Sequence, residues 1–314
     1  MRLHQNKLLF TQTLRAASQY LQINLNFVEK DYWITLVLQR LSTSEFSEKA
    51  VFKGGTSLSK GYGLIDRFSE DIDLAIISEG YKSLNEIKTT IRRIEKEITK
   101  ELTESREEGV TSKGSRYRKS VYHYPVLEKD ASTNRIIIEI NSFANPFPFQ
   151  KCSIYSMIFE FLNQKNNFSL IEEYQLHPFE INVLNKEQTM LEKLVSLIRF
   201  SFDEDYITSI SGKIRHFYDL YYLAQDPECV QFVYSKSFKQ KFFKLLQHDM
   251  EIFKEPKGWN TKPLFKSPLL FDFESIWNIL KKQYESELIA LAYRSIPDEK
   301  QVAQSFIQLL QRIV

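Results

Sequence analysis

Glycine is scarce in this 314-residue chain: nine in all, where a protein of this length usually carries roughly twice as many. Cysteine is scarcer still, with only Cys152 and Cys229. A disulfide framework is therefore excluded, no Cys/His cluster has zinc spacing, and both thiols read as reduced. Net charge is nearly absent, because 42 Lys and Arg stand against 40 Asp and Glu, leaving +2. That balance excludes a whole-molecule attraction to nucleic acid; any basic surface must be local. No apolar run approaches the roughly 18 residues that a membrane span needs. Charged and polar residues interrupt MRLHQNKLLFTQTLRAASQY throughout, unlike a signal peptide. Proline is missing before Pro125, so the early elements should run without interruption. At 43% hydrophobic and 26% charged residues, disorder is excluded too. The expectation is a soluble, cytoplasmic protein of two domains with no membrane partner.

Helical spacing of apolar positions predicts helices over 7–22 and 27–42, the second with Asn26 as N-cap and Glu29 completing a capping box. Residues 50–53 read as a strand running into a glycine turn, with a helix starting at Ser57. Residues 71–77 read as the next strand. A long charged helix is expected over 81–106, striped by Leu84, Ile87, Ile91, Ile94 and Ile98. Strands follow at 117–126, 135–143 and 179–184. Beyond Lys186 the pattern is helical, over 186–201, 213–225, 230–247, 272–293 and 299–313. Strands mixed with helices and then helices alone predict an α+β domain over 1–184 and an all-helical domain over 185–314.

The few glycines are unevenly placed. Gly54, Gly55, Gly61 and Gly63 fall within ten residues of one another, and glycine serves where the backbone takes φ > 0 or is closely approached. Gly54-Gly55-Thr56-Ser57 sits between a strand and a helix start, where unpaired N–H groups favour an anion. It is neither a P-loop nor a GxGxxG fingerprint. Shortly after it, Asp71 and Asp73 lie two apart on one strand, so their carboxylates leave the same face. Two adjacent carboxylates repel, and Mg²⁺ shared with substrate phosphates would relieve them; the alternative is a solvated strand end. Glu139 adds a third acid within the apolar run Ile136–Ile140, where a charge is costly unless paired or metal-bound; the alternative is an edge strand with Glu139 in water. Two aspartates on one strand and an acid on a neighbour form the layout of a phosphoryl- or nucleotidyl-transfer site.

VFKGGTSLSKGYGLIDRFSEDIDLAI (51–76) resembles the first motif of the AbiEii-type nucleotidyltransferases. These form the toxin-like branch, with the MenT toxins, of the DNA polymerase β-like nucleotidyltransferase superfamily. The resemblance continues at VEKDYWIT (28–35), RIIIEINSF (135–143), TMLEKLVSLIRF (189–200) and KIRHFYDLYYL (213–223), in the family's order. It implies a mixed sheet flanked by helices and followed by a helical domain that completes the nucleotide site. It implies that Gly54, Gly55 and Thr56 cradle the phosphates of an NTP, with Ser57 and Lys53 nearby. Asp71 and Asp73 would be the catalytic metal ligands for Mg²⁺ or Mn²⁺, and Glu139 the third acid, a metal ligand or general base. Lys193 would meet the triphosphate, and Asp219 would orient Lys193 or other site residues. Arg67 and Ser69 match the family's lead-in to the acid strand and would position the loop or bind phosphate. Two departures stand out. The interval from Gly55 to Asp71 is longer than is common in the superfamily, although it suits this branch. His216 also stands where many relatives carry an aspartate.

The resemblance further implies a toxin acting on an RNA acceptor, a tRNA 3′ end, with a winged-helix antitoxin as regulator. Two basic stretches are candidate acceptor surfaces. Lys113, Arg116, Arg118 and Lys119 surround Tyr117. Eight lysines stand against three acids over 236–266, interleaved with Phe238, Phe242, Phe243, Phe253, Trp259 and Phe265, a pattern suited to single-stranded RNA. The plain alternative is amphipathic helices with aromatics inside and lysines in water. Lys193 and Asp219 have plain alternatives as well, a solvated helix face and an ion pair with Arg215. Tyr32 and Trp33 read as core. A protein or small-molecule acceptor and a non-catalytic nucleotide-binding scaffold remain open at this point.

Overall fold

The computed structural model describes residues 1–69, 71–125 and 134–314. They form two compact units: Met1–Gly63 with Phe68–Leu184, and Asn185–Val314 with the short segment Leu64–Arg67.

The first unit begins with helices α1 (Lys7–Leu21) and α2 (Leu25–Ser42). Next come β1 (Ala50–Lys53), α3 (Gly54–Lys60), β2 (Asp71–Ile76), α4 (Leu84–Ile98), β3 (Thr103–Ser105), β4 (Ser112–Lys113), β5 (Tyr117–His123) and β6 (Arg135–Asn141). It closes with β7 (Phe149–Ile154), α5 (Met157–Gln164), α6 (Phe168–Glu173) and β8 (Phe179–Leu184). Among the described residues these strands make one mixed sheet in the order β3-β5-β6-β2-β1-β8-β7, with β4 beside β5. β2 runs parallel to β6 and β1 to β8; β1 is antiparallel to β2 and β5 to β6. The expected mixed sheet flanked by helices is thus present.

Local chemistry explains most departures from the expected elements. The cap of α2 is Asn24, whose side chain accepts from the N–H of Asn26, so the helix starts earlier than a cap at Asn26 would allow. α3 begins at Gly54 rather than Ser57. α4 ends at Ile98, and residues 103–105 of the expected long helix form β3. Its isoleucines Ile87, Ile91, Ile94 and Ile98 are buried, whereas Leu84 is 60% exposed and leaves the stripe. Each buried isoleucine contributes roughly 1.5–3 kcal/mol of transfer free energy. β7, α5 and α6 were not expected. Val126, the last residue of the expected strand 117–126, lies outside the described residues. Tyr32 and Trp33 belong to the core.

The second unit contains α7 (Lys186–Phe200), α8 (Tyr206–Ser211), α9 (Arg215–Leu223), α10 (Pro227–Val233), α11 (Lys236–Ile252), α12 (Pro268–Phe271), α13 (Phe273–Leu291) and α14 (Glu299–Ile313). The expected helix over 230–247 is two helices. Asp226 caps α10 by accepting from the N–H groups of Glu228 and Cys229, with Pro227 in the first turn, a start signal that displaces the boundary toward the N-terminus. Among the described residues no helix is long and apolar enough to cross a membrane.

Candidate active site

β2 and its neighbours carry the acids. Alternation along β2 turns Ile72, Leu74 and Ile76 into the core, fully buried, and leaves Asp71 and Asp73 together on the other face. Asp73 stands in register with Lys53 of β1 on one side and Glu139 of β6 on the other. Lys119 of β5 is in register with Glu139. One row across four strands therefore reads Lys53, Asp73, Glu139, Lys119. Glu139 occupies an inner strand, not an edge. The Tyr117 hydroxyl donates to Glu139 Oε2 at 3.2 Å, and Lys119 Nζ lies 3.7 Å from the same oxygen. Tyr117 and Lys119 escaped identification as partners of Glu139. Strand register between β5 and β6 is what brings them there, and the only local signal was a lysine two residues beyond a tyrosine. Arg118, pointing the opposite way, joins Ser120 in holding Glu95 of α4, so the stretch 113–119 does not act as one basic surface.

The row is electrostatically uneasy. Although Asp73 keeps some accessible surface, burial pushes its carboxyl up to about 8, with Glu139 and Asp71 adding to the shift and Lys53 and Lys119 opposing it. Clustered carboxylates with this behaviour fit a divalent cation, which would hold them ionised. Among the described residues no three His, Cys, Asp or Glu side chains are already gathered as a complete coordination shell, so phosphate oxygens and water would have to complete it. A consequence can be measured without metal. The folded carboxyl binds its proton more tightly than an ordinary unfolded aspartate, so stability falls as pH rises through the window from about 4 to 8. Replacing Asp73→Asn removes that contribution. Thermal unfolding in EDTA across this window should show the wild type losing Tm relative to the variant, and equal slopes would show Asp73 ionised throughout.

The glycine turn sits directly against these acids. Gly54 has φ +79°, and a Cβ there would stand 2.1 Å from Asp73 Oδ2. Both facts require glycine, for different reasons: the left-handed backbone and the close approach. Gly54→Ala should cost roughly 1–3 kcal/mol of stability and displace Asp73; thermal melts and transfer assays at matched folded fraction would check both. The Thr56 hydroxyl donates to the Asp71 carbonyl at 2.5 Å, and the Ser57 hydroxyl to the Gly54 carbonyl at 2.8 Å. Both side chains are buried and brace the turn. Gly55 and Lys53 are half-buried, and Ser69 is buried.

Three more of the expected residues meet in the second unit. Asp219 of α9, fully buried, receives Nε and an NH2 group of Arg67 at 2.7 and 2.6 Å. Lys193 Nζ of α7 lies 2.7 Å from Asp219 Oδ2. Burial alone would raise the Asp219 carboxyl, but Arg67 and Lys193 hold it well below the usual carboxylate range. Asp219 thus does not pair with Arg215, which instead reaches Glu287. His216 keeps some accessible surface, yet burial, then Lys193 and Lys213, push its imidazole well below the usual histidine range, with Asp219 opposing them. In the stretch 236–266, Phe238, Phe242 and Trp259 are core residues, whereas Phe243 is 40% and Phe265 72% exposed.

Seven solved chains resemble this one. One is MenT4, a nucleotidyltransferase toxin from Mycobacterium tuberculosis H37Rv, with a TM-score of 0.58 and 16% identity over 95% of this chain and 89% of that one. At that identity the likeness is one of fold, and the fold is that of a nucleotidyltransferase. No curated protein sequence gives a significant match. The family model described as nucleotidyl transferase AbiEii toxin, type IV toxin–antitoxin system, matches residues 36–304. The chain belongs to that family and is a nucleotidyltransferase of the toxin type.

Proposed function

We propose that the protein transfers a nucleoside monophosphate from an NTP to the 3′ end of a tRNA, with Mg²⁺ as the metal, replaceable by Mn²⁺. The observation that carries the chemistry is the register placing Asp73 between Lys53 and Glu139, with Asp71 on the same face. A divalent cation held by Asp71 and Asp73 would neutralise charge on the α-phosphoryl group and acidify the attacking hydroxyl. The 3′-oxygen attacks the α-phosphorus, the α–β bridging P–O bond breaks, and pyrophosphate leaves. Glu139, oriented by Tyr117 and Lys119, accepts the hydroxyl proton. Backbone N–H groups of the Gly54-Gly55 turn take phosphate oxygens, braced by Thr56 and Ser57, with Lys53 adding positive charge. Lys193, oriented by Asp219, is assigned to the triphosphate. Arg67 acts through Asp219, and Ser69 supports the lead-in to β2.

The RNA acceptor follows from the family resemblance and is supported by the lysine-rich stretch 236–266, where Phe243 and Phe265 remain available for stacking. A winged-helix antitoxin is the proposed regulator. The test combines purified protein, Mg²⁺, each α-³²P-labelled NTP in turn and total tRNA, beside an Asp71→Ala/Asp73→Ala control. Label on tRNA with the native protein alone supports the proposal and names the nucleotide, and EDTA should abolish it. Label on the protein itself moves the acceptor. Bound NTP with no label on any acceptor overturns the transfer reading.

A further inference from the structure

α3 has seven residues, too few to be stable on its own propensity, so its position must be set by contacts at its ends. At the first turn, Thr56 bonds to the Asp71 carbonyl and Gly54 abuts the Asp73 carboxylate. At the last turn, Lys60 Nζ reaches Asp31 Oδ1 of α2 at 2.6 Å and the Tyr155 carbonyl at 2.6 Å. Asp31 Oδ2 accepts from the N–H of Met157, the first residue of α5, at 2.7 Å. The Asp31 side chain is 3% exposed and that of Lys60 11%. Just beyond, a Cβ on Gly61 would stand 2.9 Å from the Ser57 carbonyl and 3.1 Å from Val183 of β8, so the end of the helix is tightly seated.

A buried ion pair is a poor source of stability, since desolvating both charges offsets their attraction and apolar residues often serve as well. Such a pair does fix geometry, because each charge must meet its partner at one place. We infer that Asp31 and Lys60 are positioning residues for nucleotide transfer, holding α3 so that its glycine turn stays seated on Asp71 and Asp73. Neither touches a reacting atom. The inference rests on the reading of that turn and those acids as the nucleotide site. It extends the site's machinery to α2, 40 residues ahead of the acid strand.

The test is Asp31→Asn/Lys60→Met in the full chain. The asparagine oxygen still accepts from Met157 while both charges are removed. Equilibrium dialysis with Mg²⁺ and each labelled NTP, steady-state transfer and thermal melts are run together. The expected result is an NTP Kd and KM raised about tenfold, as the loss of one hydrogen bond to a charged phosphate oxygen produces, with Tm within a few degrees of the wild type. Lys60→Arg, which keeps the pair, should stay within about threefold of the wild-type constants. Wild-type Kd and KM in the double variant, whatever its Tm, would overturn the inference, leaving a purely structural pair. If the double variant does not fold, Asp31→Asn alone, which strands no buried anion and leaves Lys60 its bond to the Tyr155 carbonyl, is read in the same assays by the same criterion. A wild type that binds no NTP would instead remove the nucleotide-site reading itself, and this inference with it.

Discussion

Asp73→Asn is expected to give a folded protein whose nucleotidyl transfer is lower by about a thousandfold or more. Charge stabilisation by a metal is worth several kcal/mol, and about 4 kcal/mol corresponds to a factor of that size. Asparagine preserves the shape of the side chain and its place in the row between Lys53 and Glu139, but it cannot balance a divalent cation. The loss should appear in kcat at saturating NTP, and added Mg²⁺ or Mn²⁺ should not restore it. Asp71→Asn should behave alike, since both carboxylates leave the same strand face. The metal-free melting temperature must not fall in Asp73→Asn, because the native carboxyl there is held in an unfavourable charge environment. Transfer within tenfold of the wild type would remove Asp73 from the chemistry; a collapsed Tm would make it a structural residue.

Asp219→Ala carries the largest expected effect on stability. It leaves Arg67, 3% exposed, and Lys193, 7% exposed, as two buried cations without their shared anion. Breaking a buried pair in this way costs about 3–5 kcal/mol, a drop in Tm on the order of 10 °C for the unit concerned. Replacing all three together, Arg67→Met, Lys193→Met and Asp219→Leu, should recover most of that stability while transfer stays low. A triple variant that regained transfer would show the cluster to be scaffold alone. The sign with pH follows from the lowered Asp219 pKa. Its contribution is full above about pH 4, the unfolded carboxylate value, and is lost only in more acid solution. Acid unfolding of the wild type, compared with the triple variant, measures it.

What could be read from residue order alone was local chemistry. The β1–turn–β2 passage was legible because glycine clusters where the backbone needs φ +79°, and because aspartates two apart on a strand must share a face. β6 was legible from its isoleucines, and Glu139 from the cost of a charge among them. Lys193 and Asp219 came through family resemblance, and their contact depends on an approach of helices that no periodicity encodes. The row Lys53, Asp73, Glu139, Lys119 was hidden for a related reason: the register of each pairing leaves no trace in either strand, and the pairing that joins its two halves, β2 with β6, spans β3, β4 and β5 in the chain. β7 was missed because its alternation of exposed Lys151 and Ser153 with buried Cys152 and Ile154 is only four residues long and its pairing partner, β8, lies beyond two helices. The basic stretch over 236–266 was read correctly as a charge excess, but burial sorted its aromatics, putting Phe238, Phe242 and Trp259 inside.

The segment Leu64–Arg67 belongs to the helical unit although 117 residues of the other unit follow it before Asn185. Residues 185–314 taken alone are therefore less than the whole helical unit. Excised or fused to another protein, they would lack Arg67, and Asp219 would keep Lys193 as its only cationic neighbour from this cluster. Recombination between relatives with a single crossover near 184 would splice an Arg67 from one parent onto an Asp219 from the other. Such chimaeras would keep this contact only where both parents carry the pair, two positions 152 residues apart.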